Sequence, residues 1–262
     1  MNGRIRIKLA VAACMMIAGI AMFAWVMNEY GWDFTKLSTA EYVTQTFDVT
    51  GEISGISIDS NDADITVVPS EDGSCRVVTT GAEYEKFHVY ADNGVLTVRV
   101  EDDREWYEYV GVSFGDSETT IYLPAGEYDS LNIDGYTCDV TVNEGYTFTD
   151  VEISVSTGEI ILAGISADSM AIRTSTGDVT VCDTVCTDEM KIKVSTGDVI
   201  IESCDAARIY VKATTGDIEG TLLSGKVFTA ETGTGDIDVP ESTEGGICEL
   251  HTSTGDIKID IK

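Results

Sequence analysis

Apolar residues in the C-terminal half of the chain recur two apart, in pairs that flank a glycine. That glycine itself returns every 19 or 20 residues, at Gly158, Gly177, Gly197, Gly216, Gly235 and Gly255. Seven positions before it stand Val151, Met170, Met190, Ile209, Phe228 and Cys248, and five before it Ile153, Ile172, Ile192, Val211, Ala230 and Leu250. Two after it come Ile160, Val179, Val199, Ile218, Ile237 and Ile257, and four after it Leu162, Val181, Ile201, Gly220, Val239 and Ile259. Alternation on each side of a turn predicts two short strands with one buried face each. A helix would space its apolar residues three and four apart. One repeat cannot bury its own apolar stripe, so copies must stack, with neighbouring strands ~4.8 Å apart. The expected fold is all-β, a parallel β-solenoid of about 19–20-residue repeats with one coil per repeat.

The pattern reaches backward with the glycine replaced. Leu131, Ile133, Cys138, Val140 and Val142 fit it, with Asp139 in the acidic position that elsewhere follows the glycine. Ile56, Ile58, Ala63, Ile65 and Val67 fit it too, with Asp64 in that position. Between Ser70 and Thr120 the phrase is lost, although Arg76–Thr80 and Val95–Val100 still read as strands, and Glu101–Ser117 reads as an inserted loop or hairpin. The last strand, Asp256–Lys262, is followed by no capping element. An open stack end is expected there, weakly protected or used for self-association or docking, with Lys258 and Lys262 as edge charges that discourage strand addition.

The N-terminus follows a different rule. Leu9–Met27 is an uncharged run, close to the ~20 residues needed to cross a bilayer. Arg4, Arg6 and Lys8 precede it and the first acids follow it at Glu29 and Asp33, an asymmetry that leaves the short tail in the cytoplasm and the remainder outside. Trp25, Tyr30 and Trp32 stand where interfacial aromatic anchors belong. No small-x-small cleavage site follows the run. Val11-Ala12-Ala13-Cys14 is similar to a lipid-attachment box, but the apolar stretch before it is too short and continues after it. The expected organisation is a cytoplasmic tail at 1–8, a transmembrane anchor at 9–27, a stalk at 28–45 and an extracytoplasmic β domain at 46–262, with an insertion at about 101–117. A single-pass cell-membrane protein follows.

Composition sharpens this picture. The chain carries 46 acidic and 16 basic residues, a net charge of −30, which disfavours nucleic acid and anionic lipid as partners of the β domain. Disorder, the other usual meaning of acidity, is excluded by the regular apolar pattern. Beyond the anchor lie six cysteines, an even number that permits disulfides in an exported domain. Cys138 falls in a turn position and Cys248 in a core column, which reads as small buried thiols. Cys182-x-x-x-Cys186 has no nearby histidine to complete a metal site.

Three surfaces carry candidate chemistry. Stacking aligns the acids after the glycine, Asp178, Asp198, Asp217, Asp236 and Asp256, into a ladder. Unit charges ~4.8 Å apart repel by ~3.5 kcal/mol at an effective dielectric of about 20. Backbone N–H groups of the turns can offset that repulsion; a column of Ca²⁺ ions is the sharper alternative, weakened by the supply of one acid per coil. Four before the glycine, Arg173, Lys193 and Lys212 form a short basic ladder facing solvent, either paired sideways with acids or a docking strip for an anionic envelope polymer. Trp106, Tyr107 and Tyr109, with Phe114, form either a sugar- or protein-binding platform or a cap on the stack. Neither His88 nor His251 sits in a metal-spaced cluster, and no nucleophile elbow, phosphate loop or dinucleotide fingerprint occurs. A glycan-active enzyme would need a local acid cluster rather than an even column, so the expectation is a non-enzyme with no catalytic residues.

The repeated Ser/Thr-Thr-Gly-Asp-aliphatic phrase, and the Ile121–Ile133 stretch with Pro124-Ala125-Gly126 leading into it, resemble the bacterial DUF4097 family of candidate adhesins with toast-rack-like β repeats. The resemblance covers roughly 46–262. It implies an extracytoplasmic, membrane-tethered protein linked to surface adhesion or envelope stress, and it supplies no catalytic residues. The cysteines and the Glu101–Ser117 insertion depart from the family pattern. With only about eight residues inside, any signal would have to pass through a second membrane protein.

Overall fold

The computed structural model describes residues 3–33, 40–102 and 115–262. Helix α1 covers Gly3–Glu29. Within it, Val11–Glu29 is long and apolar enough to cross a membrane, and Met15, Met16, Ile17, Ile20, Met22 and Phe23 are exposed. An apolar helix with those side chains exposed fits a membrane anchor.

Strands follow in chain order as β1 (Tyr42–Val49), β2 (Gly55–Ser60), β3 (Asp64–Pro69), β4 (Cys75–Ala82), β5 (Glu85–Asp92), β6 (Val95–Asp102) and β7 (Glu118–Leu123). Next come β8 (Gly126–Thr137), β9 (Val140–Val142), β10 (Tyr146–Thr157), β11 (Ile160–Ala163), β12 (Ser166–Thr176), β13 (Val179–Cys182) and β14 (Val185–Thr196). The rest are β15 (Val199–Thr215), β16 (Ile218–Leu222), β17 (Lys226–Thr232), β18 (Ile237–Asp238), β19 (Gly246–Thr252) and β20 (Ile257–Ile261). They join in one mixed, nearly closed sheet around a continuous apolar core. Most pairs are parallel; β4 runs antiparallel to β7, and β5 to β6.

In the middle of this sheet, strands of successive repeats pair in parallel. β10 lies between β8 and β12, with Ile153 opposite both Ile133 and Ile172. The second wall pairs β11 with β9 and β13, with Ile160 opposite Val140 and Val179. Same-column residues therefore meet, and Ile153, Ile172, Ile192 and Val211 are all fully buried, each burial contributing about 1.5–3 kcal/mol. Where one coil has 20 residues and its neighbours 19, the extra residue is absorbed as a bulge in β14 between Cys186 and Glu189, facing Ala167–Ser169 of β12 on one side and Ala206–Arg208 of β15 on the other.

The turn glycine is a stacking requirement. Gly177 has φ +132° and Gly197 φ +142°, and a Cβ on Gly197 would collide with the carbonyl of Gly177 in the adjacent coil. Only glycine allows both the backbone conformation and that approach.

Both ends of the stack depart from chain order. β19 inserts between β15 and β17, and β20 between β16 and β18. At the other end β2 lies between β6 and β8, and β3 between β7 and β9. The expectation of an open end at Asp256–Lys262 is corrected: β20 is paired on both sides, and β17 and β18 carry the edge. The reason is in the columns. Cys248, Leu250, Ile257 and Ile259 are at most 2% exposed, whereas Ile237 is 44% exposed and Phe228, Ala230 and Val239 are only partly buried. The better apolar coil takes the interior, and the weaker one, ended by Pro240, takes the edge where a missing N–H is tolerated.

The reversed order is pinned by a buried charge. Lys226 on β17 is 2% exposed, and its Nζ donates to a carboxylate oxygen of Asp205, on β15, and to the Ser224 hydroxyl at 2.6 Å. Lys226 stands opposite Gly246 of the intervening β19. A Cβ on Gly246 would come within 2.5 Å of the Ala207 carbonyl oxygen, so the bare glycine lets the coils close up where the lysine crosses. Burial alone would raise the Asp205 carboxyl; the hydrogen bonds from Lys226 and Ser224 and the lysine charge outweigh it and hold Asp205 below the ordinary carboxylate range.

Candidate functional site

The acids that follow the turn glycine form a ladder held by main-chain hydrogen bonds. The N–H of Asp198 donates to Asp178 Oδ1 at 2.8 Å, Asp217 N–H to Asp198 Oδ1 at 2.8 Å, Asp256 N–H to Asp217 Oδ1 at 2.7 Å and Asp236 N–H to Asp256 Oδ1 at 2.8 Å. A shorter segment joins Asp64, Asp139 and Glu159 in the same way. Each carboxylate accepts from the next coil's backbone, which offsets the repulsion from its neighbour. The ladder follows the spatial order, passing through Asp256 before Asp236. Asp64 is partly buried: burial raises its carboxyl, the Asp139 N–H lowers it, and the Asp139 and Asp116 charges raise it further, leaving it above the ordinary range. Among the described residues no group of three or more His, Cys, Asp or Glu side chains converges to hold a metal ion.

The second surface is the outer face of the wall made by β8, β10, β12, β14, the second half of β15, β19 and β17. Strand alternation turns the position four before the glycine outward. In spatial order it runs Asp134, Ser154, Arg173, Lys193, Lys212, His251 and Glu231. The register brings Arg173, Lys193 and Lys212 side by side, as their spacing implies, and adds His251, which chain order would have placed beyond Glu231. Arg173 and Lys212 are exposed. Arg173 Nη1 lies 3.4 Å from Glu152 Oε1, and His251 Nδ1 3.4 Å from Glu231 Oε2. Among the described residues, Lys193 and Lys212 have no carboxylate at ion-pair distance. Beside the cations runs the first residue of the repeat phrase, Ser156, Ser175, Ser195 and Thr214, and the two rows line a shallow trough of about 420 Å³. It continues past Lys212 into a second hollow of about 500 Å³ bounded by Tyr210, Glu231 and His251. There the Tyr210 and His251 rings lie 5.9 Å apart, and Lys191 Nζ sits 5.8 Å from the Tyr210 ring centre.

Trp106, Tyr107 and Tyr109 lie outside the described residues. Tyr210 and the Lys226–Asp205 pair were not singled out by sequence; His251 falls in the outward column by its spacing, four before Gly255, but its place next to Lys212 was not legible. The signal within reach was Pro240, which marks its coil as an edge and so hints that the following coil lies inside.

The six cysteines of the β body are all free thiols. Burial raises them, Cys138, Cys186, Cys204 and Cys248 each to about 12. They are protonated at neutral pH, and the five buried ones, Cys75, Cys138, Cys186, Cys204 and Cys248, act as small apolar packing groups.

A β body built from stacked glycine-turn coils, on a chain that opens with an apolar helix, is the class this architecture defines. The chain belongs to the Toastrack DUF4097 family, which matches residues 53–262. Among solved structures it is similar to a candidate adhesin from Bacteroides fragilis NCTC 9343, at 13% identity and TM-score 0.47, over 85% of this chain and 97% of that one. It is also similar to a protein from Parabacteroides distasonis ATCC 8503 described as a candidate lipid-binding protein, at 14% identity and TM-score 0.48, over 84% of this chain and 98% of that one. A third, a candidate cell adhesion protein from Clostridium sporogenes ATCC 15579, aligns at 13% identity and TM-score 0.39, over 85% of this chain and all of that one. Among curated proteins, no sequence matches this chain.

Proposed function

We propose that this chain is a non-enzymatic, membrane-anchored binding protein that holds a rigid two-walled parallel β-solenoid outside the cytoplasm, as an adhesin-like surface. One observation carries the reading: the outer face repeats the same side-chain positions coil after coil, with Arg173, Lys193, Lys212 and His251 in one row. Equivalent contacts at a fixed spacing suit multivalent binding of an extended partner, each contact weak and the sum strong; catalysis needs a local, non-repeating cluster. The apolar helix and the basic residues before it support an extracytoplasmic β domain.

The test is protease accessibility in cells expressing the full chain. Digestion of the β domain in intact spheroplasts supports the reading, and digestion only after permeabilisation overturns it. Ca²⁺ loading of the aspartate ladder is the second reading, favoured by the coil-spaced carboxylates that each commit Oδ1 to a backbone N–H. Calorimetric titration decides it: saturable Ca²⁺ uptake lost in the Asp178→Asn, Asp198→Asn, Asp217→Asn variant would favour calcium-gated binding, and no heat would leave the ladder structural.

A further inference from the structure

We infer that the partner of the outer face is an acidic polysaccharide bearing a carboxylate on successive sugars, laid along the trough from Ser154 to Tyr210 and His251. This rests on the binding-protein reading above and names its ligand class. The charge row points to a polyanion first. In a chain with 46 acids, every cation on this face could have been given a carboxylate, yet Lys193 and Lys212 stand next to each other with none in reach. Like charges at adjacent strand positions, ~4.8 Å apart, repel and weaken the free protein; an anion laid across them removes that repulsion. Glu152 and Glu249 stand in the neighbouring outward row, and Glu231 closes the cationic row at its far end, beyond His251. Screening over about 8 Å at physiological salt confines the acidity of the opposite wall to that wall.

Three features favour sugar over a bare phosphate chain. The hydroxyls of Ser156, Ser175, Ser195 and Thr214 run parallel to the cations as a second row of donors and acceptors, the complement of sugar hydroxyls. The trough ends at the Tyr210 ring, partly exposed beside His251, a surface on which the apolar face of a sugar can lie. The length of one sugar in an extended chain is close to the ~4.8 Å strand spacing, so successive carboxylates can meet successive coils. The reversed order of the last two coils completes the site. It places His251 after Lys212 and puts Glu231 at the edge, where chain order would have set a carboxylate beside Lys212.

The experiment uses the full chain in detergent micelles and fluorescent polygalacturonate oligomers, with neutral dextran and inorganic polyphosphate of matched charge as comparison probes. Polygalacturonate is expected to bind, more weakly at higher salt, with dextran unbound and polyphosphate bound several-fold less tightly. The Lys193→Gln, Lys212→Gln variant should lose about tenfold in affinity and Tyr210→Leu should also weaken binding. Lys258→Gln on the other wall should bind as the unaltered chain does, and no variant should have a thermal midpoint below that of the unaltered chain. Absence of polygalacturonate binding, equal binding by the lysine variant, or polyphosphate binding as tightly would overturn the inference. The same immobilised protein is then offered isolated cell-envelope material. Capture retained by the lysine variant sinks the polysaccharide site while the binding-protein reading stands, and no capture by the unaltered chain sinks both.

Discussion

The coils from Gly126 to Thr215 and the two coils from Lys226 to Ile261 obey the same sequence phrase but not the same order in space. In the first region each coil rests on its chain neighbour and the glycine carbonyls stack in sequence. In the second the last coil slips inside the one before it. Since every coil offers its neighbours the same inward columns, the repeat makes stacking favourable without saying who stacks on whom. Order is then decided by small differences: how apolar a coil is, where a proline interrupts it, and whether a charge such as Lys226 finds its carboxylate.

Truncation separates the two regions most sharply. A chain ending at Gly245 lacks only the last coil in sequence, but that coil is interior, so β17 and β18 lose the strands they pair with. Its thermal midpoint should match that of a chain ending at Ser224, and both should fall well below the intact chain. A midpoint for the longer truncation clearly above the shorter would mean that the β17–β18 coil docks directly on β15 and β16, and would break the contrast.

The staple is next in size. Asp205→Ala leaves Lys226 buried and unpaired, and stability by chemical denaturation should fall by roughly 3 kcal/mol, the low end for a stripped buried pair, because a quarter of the Asp205 side chain is accessible. An acid titration sharpens this. The folded carboxyl of Asp205 is depressed, so its stabilisation is present above the unfolded carboxylate range and lost as pH falls through the lower folded value. Asp64 has the opposite sign: its folded carboxyl is raised, so ionising it weakens the fold, and stability returns as pH drops through that raised value. Asp205→Asn should therefore flatten the acid limb, and Asp64→Asn should not.

The smallest expected effect belongs to the regular region. Asp198→Ala removes the acceptor for the Asp217 N–H and should cost about 1 kcal/mol. Asp198→Asn keeps an acceptor oxygen while removing charge, and should be neutral or slightly stabilising at low salt. Equal losses in both would show that the charge itself, rather than the hydrogen bond, holds the coils.

Much of this was legible early. The columns at Ile153, Ile172, Ile192 and Val211 lie in the core, Asp64 and Asp139 form a shorter ladder of the same kind, and Cys138 and Cys248 are buried thiols. The Arg173–Lys193–Lys212 row was readable because all three sit in coils that keep chain order. The neighbour of His251 was not, because it depends on the reversal, and neither was the burial of Lys226, since a lone lysine gives no sign of a partner twenty-one residues earlier.

By itself the sequence determined the coil: alternation sets which side chains face inward, a residue without Cβ permits the positive-φ turn, and nineteen uncharged residues make a helix suited to a bilayer. These are local consequences of backbone geometry and solvation. Only the tertiary structure decided the order of coils at the two ends, and with it which strands are edges and that His251 follows Arg173, Lys193 and Lys212 in the outward row. Those outcomes depend on contacts between residues distant in the chain, where near-identical repeats offer nearly equal alternatives and a single buried pair or an interrupted strand tips the balance.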